Sequence, residues 1–302
     1  MAATRSVALG SFTPSVVLEV ARASGALRDA RLEVAERLVP SSPAQFRSLI
    51  DGELHLALTS PDNVLAYRFD PQNPLGRLVD VRILAAVDRG LGLGVWARPG
   101  ATFDDVRGAA VGVDVPGSGF ALALFTLLER HGIGRDEYDV VQLGSTPKRL
   151  QALLDGDCAA TMLGAGNELL ADAAGCVPLA RVRDELTPYL GTVLAVVRDE
   201  HLEVGRDLAA ALTATGRRIV TGELATEAVA AARSRLDLGP ELAERYVAGL
   251  ADEREGLVPD GVVDPDALRT LVDLRRHWVP RVVDGRDVLE DGWRDPGLVV
   301  TR

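Results

Sequence analysis

Twice in this chain a helix-forming segment ends at Asp-Gly, takes one acidic residue and runs straight into a short apolar strand. The two copies read PAQFRSLIDGELHLALTS and TPKRLQALLDGDCAATML, with Asp51-Gly52-Glu53 answered by Asp155-Gly156-Asp157. A motif that recurs once, a hundred residues on, implies two equivalent units rather than a solenoid. The chain has 302 residues, too many for one ordinary core and well suited to two α/β lobes.

Strand and helix signals alternate around these units. Residues 6–10 read as a buried strand. PSVVLEVARASG follows as a helix with Thr13 as its cap, Pro14 in its first turn and Gly25 at its stop. ARLEVAE is a strand, and SSPAQFRSLIDG is a helix capped by Ser42. LHLALTS is a strand leading into the helix PDNVLAYRF. Strand–helix alternation at this spacing predicts right-handed parallel crossovers. The strands at 79–87 and 91–97 are joined only by Asp88-Arg89-Gly90, so they are expected to bend away and lead out of the first lobe. The polar segment 98–108 marks a boundary. A second series follows: AAVGVD, the glycine-rich turn and helix PGSGFALALFTLLERHG, YDVVQLG, the second repeat unit, AGNELLADAAG and CVPLARV. Residues 189–197 form a strand placed to return the chain to the first lobe, and from His201 the pattern is helical. The expected fold is α/β and two-lobed, with two parallel or mixed sheets flanked by helices and a ligand cleft between them. Residues 1–98 and 192–302 are assigned to lobe I and 99–191 to lobe II, with hinges near 97–101 and 186–192.

Charge and composition narrow the function. A net charge of −11 repels phosphate backbones and anionic lipid, which argues against nucleic acid and membrane surfaces as partners. It leaves room for an anionic small ligand, because local backbone donors outweigh a distant field. The basic side chains are almost all arginine; Lys148 is the single lysine. The two cysteines, Cys158 and Cys176, sit in apolar runs and suggest no disulfide framework. The four histidines are scattered, so no metal and no cofactor are expected. Residues 1–15 lack a long apolar segment and a lipobox-like cysteine, which gives a cytoplasmic chain as the expectation.

In open parallel sheets ligands sit beyond the carboxyl ends of the strands. Here those positions are Ser11, Phe12 and Thr13, then Thr59, Ser60, Asp62 and Asn63, with Asp88 near the crossover. In the second lobe they are Gly117, Ser118, Gly119 and Phe120, then Gly144 and Ser145, then Gly164 and Asn167. Ser118 opens a helix whose free N–H groups form an anion site, and Phe12 and Phe120 are placed to hold an apolar ligand body. PGSGF has neither Walker nor dinucleotide spacing, which rejects nucleotide binding.

The segments SPAQFRSLIDGELHLALTSPDNVLAY, FDDVRGAAVGVDVPGSGFALALFTLLERHGI and VVQLGSTPKRLQALLDGDCAATMLG resemble the type II periplasmic-binding-protein fold. The similarity is to the branch that includes nitrate-, taurine- and alkanesulfonate-binding proteins and the pyrimidine synthases of thiamin biosynthesis, and it covers roughly residues 5–200. The family's usual acidic residue after Gly-Glu is His55 here, and its second-lobe counterpart is Cys158. The resemblance implies hinged closure on a small organic ligand, including anions, with a permease as partner. The alternative on the same fold is a cytoplasmic lyase, desulfinase or decarboxylase. For that chemistry the chain offers only Asp62, Asp88 and Asp114 as acid or base. It has neither the desulfinase cysteine after the first strand nor the histidine-rich stretch of the thiamin enzymes. A third reading is a partner-binding module that dimerises through the helical C-terminus.

Overall fold

Both Asp-Gly steps stop their helices in the left-handed region, Gly52 at φ +80° and Gly156 at φ +84°. Only glycine takes that conformation without a Cβ clash. The computed structural model describes residues 3–283 and 285–300. The first lobe runs β1 Arg5–Ser11, α1 Val16–Ala23, α2 Ala26–Asp29, β2 Leu32–Leu38, α3 Ser42–Asp51, β3 Leu56–Thr59, α4 Pro61–Phe69 and β4 Arg82–Asp88. Then come β5 Gly94–Ala97, β6 Ala110–Val113, α5 Gly119–Arg130, β7 Asp139–Gln142, α6 Thr146–Asp155, β8 Ala160–Leu163, α7 Asn167–Ala173, β9 Val177–Arg181 and α8 Val182–Glu185. The chain returns through β10 Thr192–Val196 to α9 Leu202–Val220, α10 Ala225–Leu236, α11 Pro240–Leu250 and α12 Pro265–Trp278.

The strands form two mixed five-stranded sheets, ordered β2-β1-β3-β10-β4 and β7-β6-β8-β5-β9. The orders are the same plan written twice. In each, the first three strands are parallel, and an antiparallel strand delivered by the other lobe lies between the third strand and the last. β10 rejoins the first sheet, as its sequence position suggested. β5 does not follow the expectation. It was assigned to residues 1–98, yet it pairs with β8 and β9. The chain therefore changes sheets between Asp88 and Gly94, ahead of the polar segment at 98–108. A polar loop marks the boundary in the sequence, but the crossing is the short turn Arg89-Gly90-Leu91-Gly92-Leu93.

Two caps also differ by a residue or two. Ser15, not Thr13, caps α1 by accepting from the Leu18 N–H, and Ser41, not Ser42, caps α3 by accepting from Ala44. Hydroxyl residues on either side of Pro14, and two in a row before Pro43, leave the cap ambiguous in sequence.

The repeat extends to individual hydrogen bonds. Gln45 on α3 and Arg149 on α6 each precede the stop glycine by seven residues. Gln45 Nε2 donates to the carbonyl of Leu58, and Arg149 Nε donates to that of Met162. Leu58 and Met162 are themselves equivalent. Both side chains are almost wholly buried and pin a helix onto its strand.

The C-terminal helices, expected to belong to lobe I, span both lobes. α10 and α11 pack beside α1 and α9, but α11 also meets α7, where Arg245 pairs with Asp172 at 2.6 Å. α12 lies between α4 and α5. From it Arg275 grips both oxygens of Asp62 at 2.8 and 2.7 Å and donates to the Gly117 carbonyl at 2.9 Å. One guanidinium thus ties the first lobe to the second. The Arg275 and Asp62 side chains are 5% and 1% exposed. Asp62→Ala, which strands the buried cation, is expected to lower the unfolding free energy by about 3–5 kcal/mol, and Asp62→Leu with Arg275→Met to recover most of it. Urea unfolding measures both; a loss below about 1 kcal/mol for the single change would contradict this account.

Candidate functional site

A right-handed crossover starts each helix at the carboxyl edge of the strand before it. In this chain five helices begin at one place. The first turns of α1, α3, α4, α5 and α6 contribute Val16, Ser42, Asn63, Phe120 and Thr146 to the wall of a single cavity of about 260 Å³. Each helix start turns the positive end of its dipole there, although at α4 Pro61 has no N–H and Ser60 takes those of Asp62 and Asn63. The cavity lies between the sheets, at the two chain crossovers.

Most of the expected residues line it. Ser11, Phe12, Thr13, Thr59, Ser60 and Asn63 form the first-lobe wall. Ser118, Gly119, Phe120, Gly144, Ser145 and Gly164 form the second, with Asp88 at the base. Asp62, Gly117 and Asn167 do not line the cavity. Asp62 and the Gly117 carbonyl are taken up by Arg275. Asn167 turns its amide back onto the Gly164 carbonyl at 3.2 Å. Sequence reasoning missed Arg149, Gln142, Leu91, Thr192, Tyr246, Leu250 and Leu257, all of which line the wall. The last three come from the C-terminal segment, for which the strand-end rule gave no signal.

Several hydroxyls are already committed. Ser60 accepts from the Asp62 N–H, and Thr59 accepts from the Asn63 amide at 3.1 Å. Ser118 accepts from the Ala121 N–H and donates to Asp114 at 2.5 Å. Ser11 donates to Glu36 at 2.8 Å, and Glu36 in turn is held by Arg235. Ser145 sits at the start of α6 without making a side-chain capping bond, so its hydroxyl is free of that duty.

Asp88 is a joint rather than an open acid. Its carboxylate accepts from the Gly90 N–H at 2.8 Å, and burial pushes its pKa up, opposed by hydrogen bonds from Thr192 and from the N–H groups of Gly90 and Leu91. Those partners lie on the outgoing and the returning crossover. Gly191 allows the two to touch, since a Cβ there would stand 2.4 Å from the Asp88 carboxylate and 2.5 Å from Gly90. Beside the cavity, Glu168 is buried against Gly92, Tyr246 and Arg181 and accepts from the Gly166 N–H at 2.8 Å. Desolvation raises its pKa to about 7. The cysteines take no part: both are buried away from the cavity wall, and burial pushes the Cys158 thiol up to about 11. His55 accepts from the Ala8 N–H and stacks on His201 at 4.4 Å, a structural role at the far end of its strand.

No family model matches the sequence, and no curated protein matches it. Solved structures do match in fold. The alkanesulfonate-binding protein SsuA from Xanthomonas axonopodis pv. citri, solved bound to MOPS, superposes with a TM-score of 0.73 at 16% identity, covering 96% of this chain and 98% of that one. The periplasmic aliphatic sulphonate binding protein SsuA from Escherichia coli gives 0.68 at 15% identity, with 96% and 99% covered. A Candida albicans gene product described as exhibiting the generic periplasmic binding protein fold gives 0.71 at 16% identity, with 98% and 96% covered. The chain has the periplasmic-binding-protein fold.

The Glu168 carboxyl sets a pH dependence of stability. Its folded pKa of about 7 exceeds the unfolded value of 4.5, so between these the folded state holds more protons. The contribution is complete below 4.5 and is lost as pH rises through 7. Glu168→Gln is expected to match the parent at about pH 4 and to exceed it at pH 8 by about 3 kcal/mol, seen as a flatter plot of unfolding free energy against pH. Parallel plots for the two proteins would refute this.

Proposed function

We propose that this chain is a substrate-binding protein: it holds a small organic molecule between its lobes and closes on it by bending at the two crossovers, 89–93 and 182–191. The observation that carries the reading is the convergence of five helix starts on one cavity at the point where the chain changes sheets. A volume of about 260 Å³ suits a small ligand. Phe12, Phe120, Leu91, Leu250 and Leu257 supply an apolar lining, and the hydroxyl rims and helix starts supply the polar part. The fold neighbours support the same role, since two are sulfonate-binding proteins.

The enzyme alternative has less to stand on. Of the three carboxylates it needs, Asp62 is locked by Arg275, Asp88 joins the crossovers and Asp114 holds Ser118. In the binding role the partner is a permease, and no helix among the described residues is long and apolar enough to cross a membrane. This reading has the protein act outside the cytoplasm, against the expectation from residues 1–15, and the periplasmic sulphonate-binding neighbour supports it.

Isothermal calorimetry against small carboxylates, sulfonates and heterocycles is expected to give at least one ligand with a Kd of roughly micromolar or tighter. Ser145→Trp, which fills the cavity from a half-exposed position, is expected to abolish that binding and leave the melting temperature unchanged. Silence across the panel, or binding that survives Ser145→Trp, would overturn the assignment of the site.

A further inference from the structure

The helix-to-strand tie is made by glutamine in one lobe and by arginine in the other. Gln45 bonds the carbonyls of Gly10 and Leu58. Arg149 bonds the carbonyls of Met162 and Gly144 and the hydroxyl of Thr146. A neutral amide is therefore sufficient for the structural task, and the charge on Arg149 is surplus to it.

That charge is expensive where it stands. Arg149 is 2% exposed, and all its hydrogen-bond acceptors are neutral. Among the described residues no carboxylate comes within ion-pair distance of it, whereas the other deeply buried arginine, Arg275, holds Asp62 at 2.7 Å. Asp114, which also lines the cavity, is the acid whose field reaches Arg149, but it makes no ion pair with it and is engaged by the Ser118 hydroxyl. Burial works against the charged form of the guanidinium. Yet an arginine stays protonated, so its buried charge calls for a counter-ion. Arg149 lines the cavity, beside the starts of α5 and α6. The acid on the cavity base, Asp88, has its acceptors taken by the two crossovers and is biased toward its neutral form by burial.

Taking the cavity as the ligand site, we infer that Arg149 is the specificity-determining charge of the cleft. It selects a small organic monoanion, whose acid group faces Arg149 and the second-lobe helix starts while its apolar body lies against Phe12 and Phe120. The missing counter-ion is the ligand itself.

The test is Arg149→Gln, which installs the first lobe's residue at the equivalent position and keeps a donor for the Met162 carbonyl. Probes of one shape are used: hexanoate, hexanesulfonate and neutral hexanamide, titrated by calorimetry. The expected result is that the parent prefers an acid over the amide, and that Arg149→Gln weakens the acid by at least about thirty-fold while leaving the amide unchanged. Which acid binds better separates carboxylate from sulfonate ligands. Without any ligand, at low salt, Arg149→Gln is expected to melt at or above the parent, because an uncompensated charge has gone. Equal acid affinity in the two proteins, or a clear drop in the ligand-free melting temperature, overturns the inference and makes Arg149 a structural strut. If the parent binds none of the probes while Ser145→Trp also changes nothing across the wider panel, the ligand site itself fails, and the ligand-free melting comparison still decides the role of Arg149.

Discussion

A right-handed crossover between parallel strands leaves no freedom about where its helix begins. Every other property of this molecule is arranged around that constraint. Three parallel strands in each sheet deliver their helices to the same edge, and the two sheets are joined at that edge. The result is a small volume surrounded by helix starts and the positive ends of their dipoles. The overall charge of −11 does not describe that volume, because its nearest fields come from the helix starts and from Arg149, Asp88 and Asp114 on its wall.

The lobes are held together in two different ways. At the crossovers the contact is tight and polar, with Asp88 bridging the outgoing and returning segments and Gly191 leaving room for them. Away from the crossovers the C-terminal helices act as straps. Exposed ion pairs such as Arg245–Asp172 and Arg254–Asp184 are worth little each in water. The Arg275 bridge is of another kind: it is desolvated and bidentate, and it reaches a backbone carbonyl of the other lobe. Its partner has nowhere else to discharge, so the bridge restricts how far α4 and α5 can part.

Much of this was legible from local pattern. The alternation of apolar runs with capped helices foretells the sheets, and the strand-end rule picks out most of the cavity wall. What failed was contact between distant segments. Asp62 read as a free acid at a helix start, because its partner lies 213 residues away on a helix that looks solvated in sequence. Arg275 itself stands in the run Arg275-Arg276-His277-Trp278 at the end of a helix, a pattern that carries no sign of burial. The short turn at 89–93 carries no sign of which sheet receives the next strand, so in sequence the polar segment at 98–108, and not this turn, marks the boundary. Arg149 escaped notice for a subtler reason: one turn into an amphipathic helix, after proline and lysine, an arginine resembles any surface charge. Only its register against Gln45, counted back from the stop glycine, marks it as an inward-facing position.

That register has a consequence at the level of genes. Glutamine and arginine share codons that differ in a single base, CAG and CGG among them. A strut built from glutamine therefore stands one point mutation away from a buried cation, and the bonds that hold helix to strand survive the change. In a duplicated architecture one half can keep the neutral strut as insurance for folding while the other half explores charge. Ligand preference can then drift without the scaffold being renegotiated each time.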